Sequence, residues 1–246
     1  MKARIPLLIT GALLSAGAMA DWGSPLKWDQ FDSVDSRTGQ SWSASNGDFY
    51  LCADDFLCTS PGYINEIRVA GHNDGFNLGV WVYFWSDVPA GPNDESHPGT
   101  LLSLIKLGNA NSGDPNKIGW FDAGDGTFRI DLPQNQWFHQ DGTAANPTRY
   151  WVGVQARHDI FGFEKFYQSF RTPDRHWGDD AVFSRNGATW SHWGEDPTGN
   201  INTYDGILPT NWRSVDMAFQ VYGTPEPSSF AVLGLGLLAL LRRKRK

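Results

Sequence analysis

The stretch Leu78-Gly79-Val80-Trp81-Val82-Tyr83-Phe84-Trp85 decides the fold. Successive side chains of a β-strand point to opposite faces, so this octapeptide divides into an aliphatic side, Leu78, Val80, Val82 and Phe84, and an aromatic side, Trp81, Tyr83 and Trp85. Both sides need cover. The expected arrangement is a central strand whose aromatic side lies under a loop or second layer. The other arrangement leaves Trp81, Tyr83 and Trp85 as an exposed platform able to bind a ligand.

Similar strands lie on either side of it. Tyr63 to Ala70 precedes the turn signal Gly71-His72-Asn73-Asp74-Gly75, and Thr100 to Leu107 follows a Pro/Gly/Asn loop. Thr127 to Leu132 alternates cleanly after the Asp-Gly hairpin signal Asp125-Gly126. Arg149 to Ala156 and Val215 to Tyr222 complete the pattern, with Met217, Phe219 and Val221 facing one way. Leu26 to Gln30 reads as a first edge strand, within a polar stretch, Asp21 to Gly47, whose order the sequence leaves open. Roughly nine to eleven strands separated by turn signals predict an all-β fold of two antiparallel sheets packed face to face, jelly-roll-like in topology.

Composition agrees. Between residues 21 and 224 there are 22 Asp and only four Glu, and Asp suits turns and caps whereas Glu favours helices. Seven of the 20 basic residues and one of the 27 acids fall in the terminal segments, leaving 13 basic and 26 acidic residues in the middle. That balance argues against nucleic acid as a partner, since phosphate binding needs clustered Lys and Arg.

The two ends read as addresses. Lys2 and Arg4, an apolar run from Ile5 to Ala16, and Ala18-Met19-Ala20 form a secretory signal peptide over residues 1–20, with signal peptidase as the processing partner. At the other end stand Pro225-Glu226-Pro227, an apolar run over 228–241, and Arg242-Arg243-Lys244-Arg245-Lys246. As a helix the run spans roughly 21 Å, short of the roughly 30 Å hydrocarbon core, so it suits a temporary membrane stop. These three blocks resemble the PEP-CTERM sorting signal of bacteria that make extracellular polysaccharide. That resemblance implies recognition by the membrane enzyme exosortase, cleavage near the tripeptide, and a final place at the cell surface or in the extracellular matrix. The middle, residues 21–224 with its core over about 48–223, reads as one exported domain. Its landmarks, among them Asp54-Asp55-Phe56, Phe84-Trp85-Ser86-Asp87-Val88, Tyr150 to Ala156, Gly178 to Phe183 and Asp216 to Gln220, resemble an uncharacterised β-sandwich domain frequent in PEP-CTERM proteins. No catalytic residues come with that resemblance.

Candidate sites are few. Cys52 and Cys58, the only cysteines of a chain bound for an oxidising compartment, are expected to form a disulfide. Asp54, Asp55, Asp179 and Asp180 could offer hard oxygen ligands to calcium, although each could instead cap a turn or pair with an arginine. No other cofactor is expected. Exposed aromatic rings stack on sugars while Asp, Asn and Gln bond hydroxyls, so extracellular polysaccharide is a candidate partner. Trp190, His192 and Trp193 are the expected surface cluster. No GxSxG elbow, HExxH pair or matched glutamates occur. A non-catalytic binding or structural component is therefore expected, with a polysaccharide-active hydrolase or lyase as the alternative.

Overall fold

The computed structural model describes residues 24–44, 47–73, 79–108, 120–122, 126–158, 166–172 and 178–225. The signal-peptide helix, the apolar helix over 228–241, and Glu226, Pro227 and Arg242 to Lys246 of the sorting signal lie outside the described residues. Among the described residues no helix is long and apolar enough to cross a membrane.

Among the described residues seventeen strands follow one another: β1 (Leu26–Asp29), β2 (Val34–Gln40), β3 (Trp42–Ala44), β4 (Leu51–Cys58), β5 (Gly62–Asn73), β6 (Gly79–Val88), β7 (His97–Gly108), β8 (Trp120–Asp122) and β9 (Thr127–Asp131). After one short 3-10 turn, Gln134–Gln136, come β10 (Phe138–Gln140), β11 (Thr148–His158), β12 (Phe166–Arg171), β13 (Val182–Ser184), β14 (Ser191–Glu195), β15 (Ile201–Tyr204), β16 (Arg213–Ser214) and β17 (Phe219–Pro225). The excess over the expected number comes from two- to four-residue strands, whose pairing is set by long-range partners and leaves no alternation to read.

Two sheets result. In the first, of eight strands, β5 is the spine: β17 pairs along one edge while β10, β9 and β12 take successive parts of the other. β1 extends this sheet beyond β17, and β2 extends it beyond β12 as an edge strand. The second sheet runs β15-β14-β13-β4-β11-β6-β7. Every described pairing is antiparallel except β3 against β11.

The shared core lies between the sheets. Ile64, Ile67, Val69, Phe128, Ile130, Phe166, Phe170, Phe219 and Val221 come from the first sheet, and Phe56, Val80, Val82, Phe84, Val152 and Val154 from the second. The decisive strand β6 splits as its alternation requires, with Val80, Val82 and Phe84 facing this core. Its aromatic side is covered. Tyr83 and Trp85 join Leu51, Ala53, Trp151 and Val182 in a second, smaller apolar cluster, with Phe49, Trp81, Leu104 and Trp190 packed against it. Burying a large apolar side chain stabilises by about 1.5–3 kcal/mol. A two-sided central strand is the lowest place for these rings.

The expected disulfide is a correction. Cys52 and Cys58 are free thiols near opposite ends of β4, six positions apart on its core-facing side. An extended strand separates such residues by about 20 Å, several times the Cα spacing a disulfide tolerates. Burial pushes both thiols upward from their ordinary titration range. Cys52 donates to the carbonyl of Gln40 at 3.2 Å, and Cys58 to that of Ser60 at 3.3 Å.

Candidate functional site

The sheets meet unevenly. Where edge strand β2 of the first sheet faces β13, β14 and β15 of the second, a cleft opens between them. One lobe, about 390 Å³, is lined by Thr38, Gln40, Tyr50, Tyr167, Phe183, Arg185, Trp193 and the Ile201 to Thr203 segment. An adjoining lobe of about 460 Å³ adds Arg37, Phe170, Gly199 and Asn200.

Rings form the floor. Tyr50 lies 4.7 Å from Trp42 and 6.2 Å from Phe183 between centroids, Phe183 lies 5.3 Å from Trp193, and Trp193 meets Phe170 edge-on at 5.2 Å. Tyr50, Phe183 and Trp193 are each half-buried, with one side in the shared core and the other toward the cleft. Polar side chains form the walls. Thr38, Gln40, Tyr167, Thr203 and Arg185 form no side-chain hydrogen bond with any described residue, whereas the polar tips of Tyr83, Tyr150, Tyr204, Tyr222, Trp137 and Trp151 all do. Arg185 rests its guanidinium 5.7 Å from the Tyr50 ring centroid, and no carboxylate among the described residues pairs with it. Among the described residues, no Asp, Glu or His lines either lobe.

One end of the cleft is strapped. Arg37 on β2 reaches across to Glu195 on β14 at 2.7 Å and donates to the carbonyl of Gly199 at 2.8 Å. Glu195 is also held by Arg213, and Arg37 by Asp35. Burial alone would raise the Glu195 carboxyl, but hydrogen bonds from Arg213 and Arg37 outweigh it and hold the group below the usual carboxylate range.

The expected platform and surface cluster are dispersed. Tyr83 and Trp85 stack on each other at 5.2 Å with planes 2° apart, and only 7 % and 3 % of their surfaces remain exposed. Trp81 is half-buried between the cations of Lys106 and Arg157, each 4.3 Å from its ring centroid. Trp190 closes over Trp85 edge-on at 5.3 Å. His192 is buried, stacked on Tyr204, with Nε2 3.0 Å from the carbonyl of Ser96. Of that cluster only Trp193 faces the cleft, because alternation along β14 sends its neighbour His192 to the other side.

The four aspartates divide into two structural pairs. Asp54 accepts the backbone N–H of Met217 at 2.7 Å and Asp180 that of Val215 at 3.1 Å. These two amides belong to the segment that crosses from β16 in one sheet to β17 in the other, where neither sheet's ladder can satisfy them. Asp55 and Asp179 both pair with Arg149, and Asp55 also accepts the Asp179 N–H at 3.1 Å. Among the described residues no group of three or more His, Cys, Asp or Glu side chains is placed to hold a metal ion. Two carboxyls do converge elsewhere: the Tyr204 hydroxyl contacts Glu95 at 2.6 Å and also Asp180. Burial, then Asp180 and Glu95, pushes the Tyr204 phenol upward, so it stays protonated as a donor beneath the His192 ring.

Sequence reasoning found Trp193 but missed Tyr50, Tyr167, Phe183 and Arg185. These four lie on segments far apart in the chain, and only long-range pairing brings them to one edge. Two similarities accompany this geometry. A family model for a domain of unknown function, DUF7901, matches residues 26–222, and the PEP-CTERM protein-sorting motif matches residues 224–246. No curated protein and no solved structure gives a match.

Proposed function

Because the chain belongs to the DUF7901 family and carries an exosortase sorting motif that marks it for export, we propose that it is a non-catalytic β-sandwich of the cell surface or extracellular matrix that binds extracellular polysaccharide. The observation that carries this reading is the cleft. An exported domain with half-buried rings flanked by unengaged hydroxyl, amide and guanidinium groups offers what a sugar needs, an apolar face to stack on and partners for its hydroxyls. That no carboxylate or histidine among the described residues lines either lobe favours binding over hydrolysis, which requires two carboxyls flanking the scissile bond. Calcium, if bound, would have to displace Arg149 from Asp55 and Asp179, which gives it no role in this reading.

The sorting motif begins where the domain ends. β17 is still paired at Pro225, opposite Gly62, and the motif match starts at residue 224. Processing would therefore leave the folded domain with almost no spacer. The test is to express the chain in a bacterium that carries exosortase, isolate the surface and secreted fractions, and determine their termini by intact mass. The expected product lacks residues 1–20 and Arg242 to Lys246. Recovery of those five cations on the surface form would overturn the processing scheme. Failure of the product to bind any polysaccharide in affinity electrophoresis would overturn the binding role.

A further inference from the structure

We propose that the cleft selects an acidic saccharide, seating a uronate-type carboxylate on Arg185 and the sugar face on Tyr50, Phe183 and Trp193. This deepens the polysaccharide-binding reading and rests on it.

Charge sets the cleft apart. Between residues 21 and 224 acids outnumber bases by two to one, so a random patch of this surface is negative. The cleft departs from that pattern: among the described residues its Tyr50–Phe183 lobe is lined by an arginine and no carboxylate. The second cation nearby, Arg37, is already neutralised by Asp35 and Glu195. Arg185 has no neutralising carboxylate among the described residues, is exposed, and is held at the rim over the Tyr50 ring. A guanidinium with its donors free binds a carboxylate by two parallel N–H···O bonds. A neutral sugar would leave that capacity unused.

Geometry then limits the ligand further. The rings Tyr50, Phe183 and Trp193 follow one another at centroid spacings of 6.2 and 5.3 Å, so they form a continuous apolar strip along the floor. Gln40, Thr38 and Tyr167 rise on the β2 and β12 side, and Thr203 and Asn202 on the β15 side. The Asn202 amide nitrogen donates to Asp196 at 3.1 Å and to the carbonyl of Asn200 at 3.5 Å, which leaves its side-chain oxygen as an acceptor for hydroxyl donors. A ring with one anionic substituent and several hydroxyls matches this set. A simple inorganic anion would use Arg185 and ignore the rings.

The experiment uses the full chain in detergent, with binding measured by affinity electrophoresis and calorimetry against polygalacturonate and against the neutral glucan dextran, in low and moderate salt. Wild type is expected to bind polygalacturonate at least tenfold more tightly than dextran. Arg185→Ala is expected to remove that preference while its melting temperature stays at the wild-type value, because the side chain is exposed. Phe183→Ala and Tyr167→Phe are expected to weaken both ligands. Equal affinity for the two polymers with no effect of Arg185→Ala would overturn the acidic-sugar assignment and leave polysaccharide binding standing. Binding of neither polymer would overturn both. Binding to polygalacturonate that survives Phe183→Ala, but vanishes at moderate salt for wild type, would reduce the cleft to an unspecific anion contact and also sink the proposal.

Discussion

The carboxylate of Asp54, in the middle of β4, accepts the amide of Met217 across 2.7 Å of the interior, joining the second sheet to the strand that crosses toward the first. It also accepts the Asp55 N–H at 2.8 Å. Asp54→Ala strands two buried donors, each costing about 1–3 kcal/mol when unsatisfied. The expected loss is about 3 kcal/mol in denaturant unfolding, against less than about 0.5 kcal/mol for the exposed control Asp141→Ala. A loss at Asp54 no greater than that of the control would refute the clamp.

Acid should loosen the strap across the cleft. The Glu195 carboxyl is depressed in the folded state, so its pairing with Arg37 and Arg213 contributes stability above the unfolded value near 4.5 and loses it as pH falls through the folded value. Asp35, depressed by Arg37 against the opposing effect of burial, moves in the same sense. Asp54 has the opposite sign: burial, then Asp216 and Asp55, raises it, so its penalty grows as pH rises. Glu195→Gln should therefore be less stable than wild type at neutral pH, with the difference shrinking below about pH 4.5. Melting curves across pH 3 to 7 test this; a constant difference would be inconsistent with it.

Both cysteines should remain thiols. In native protein prepared without reductant, neither should react quickly with a thiol reagent, since only the thiolate attacks and burial disfavours it. In guanidinium, still without reductant, both should be alkylated. Detection of an unreactive pair after unfolding would restore the disulfide.

Substitutions along the aromatic face of β6 separate its covered end from its half-exposed end. Trp85→Ala should cost about 3–5 kcal/mol as a buried aromatic truncation, because Trp85 lies under Trp190 and against Tyr83. Trp81→Ala should cost about 1 kcal/mol, the scale of its two cation contacts. Equal small effects would return the aromatic side to solvent.

Gly178 offers a local check of the Arg149 cluster. It holds φ at +78°, and a Cβ there would lie 2.5 Å from both Asp55 carboxylate oxygens. Gly178→Ala should destabilise by about 1–3 kcal/mol, and Asp55→Asn should not relieve the strain because the clash is steric. A Gly178→Ala melting temperature at the wild-type value would disprove the close approach.

The alternation in β6 was enough to assign its two faces, and the Asp-rich, Glu-poor middle was enough to predict sheets. Sequence could not say what lay over Trp85, because Trp190 reaches it from more than a hundred positions away. The paired aspartates were legible as needing partners, but those partners, Met217, Val215 and Arg149, are supplied by chain crossings that leave no local pattern. The cysteine pair failed because an oxidising destination and a count of two say nothing about how far apart the chain holds them. An eight-residue strand keeps such neighbours apart. Trp193 was legible as a site residue, whereas Arg185, an isolated cation after a three-residue strand, carried no signal until the surrounding lack of acids became visible.

β17 lies inside its sheet, flanked by β1 and β5, and it leads straight into the sorting motif. A pull entering at Pro225 along the strand must slide it past both neighbours at once, loading all the rungs of two ladders together. Peeling would break them singly. A load applied there along the strand therefore meets the two ladders in shear, not one rung at a time.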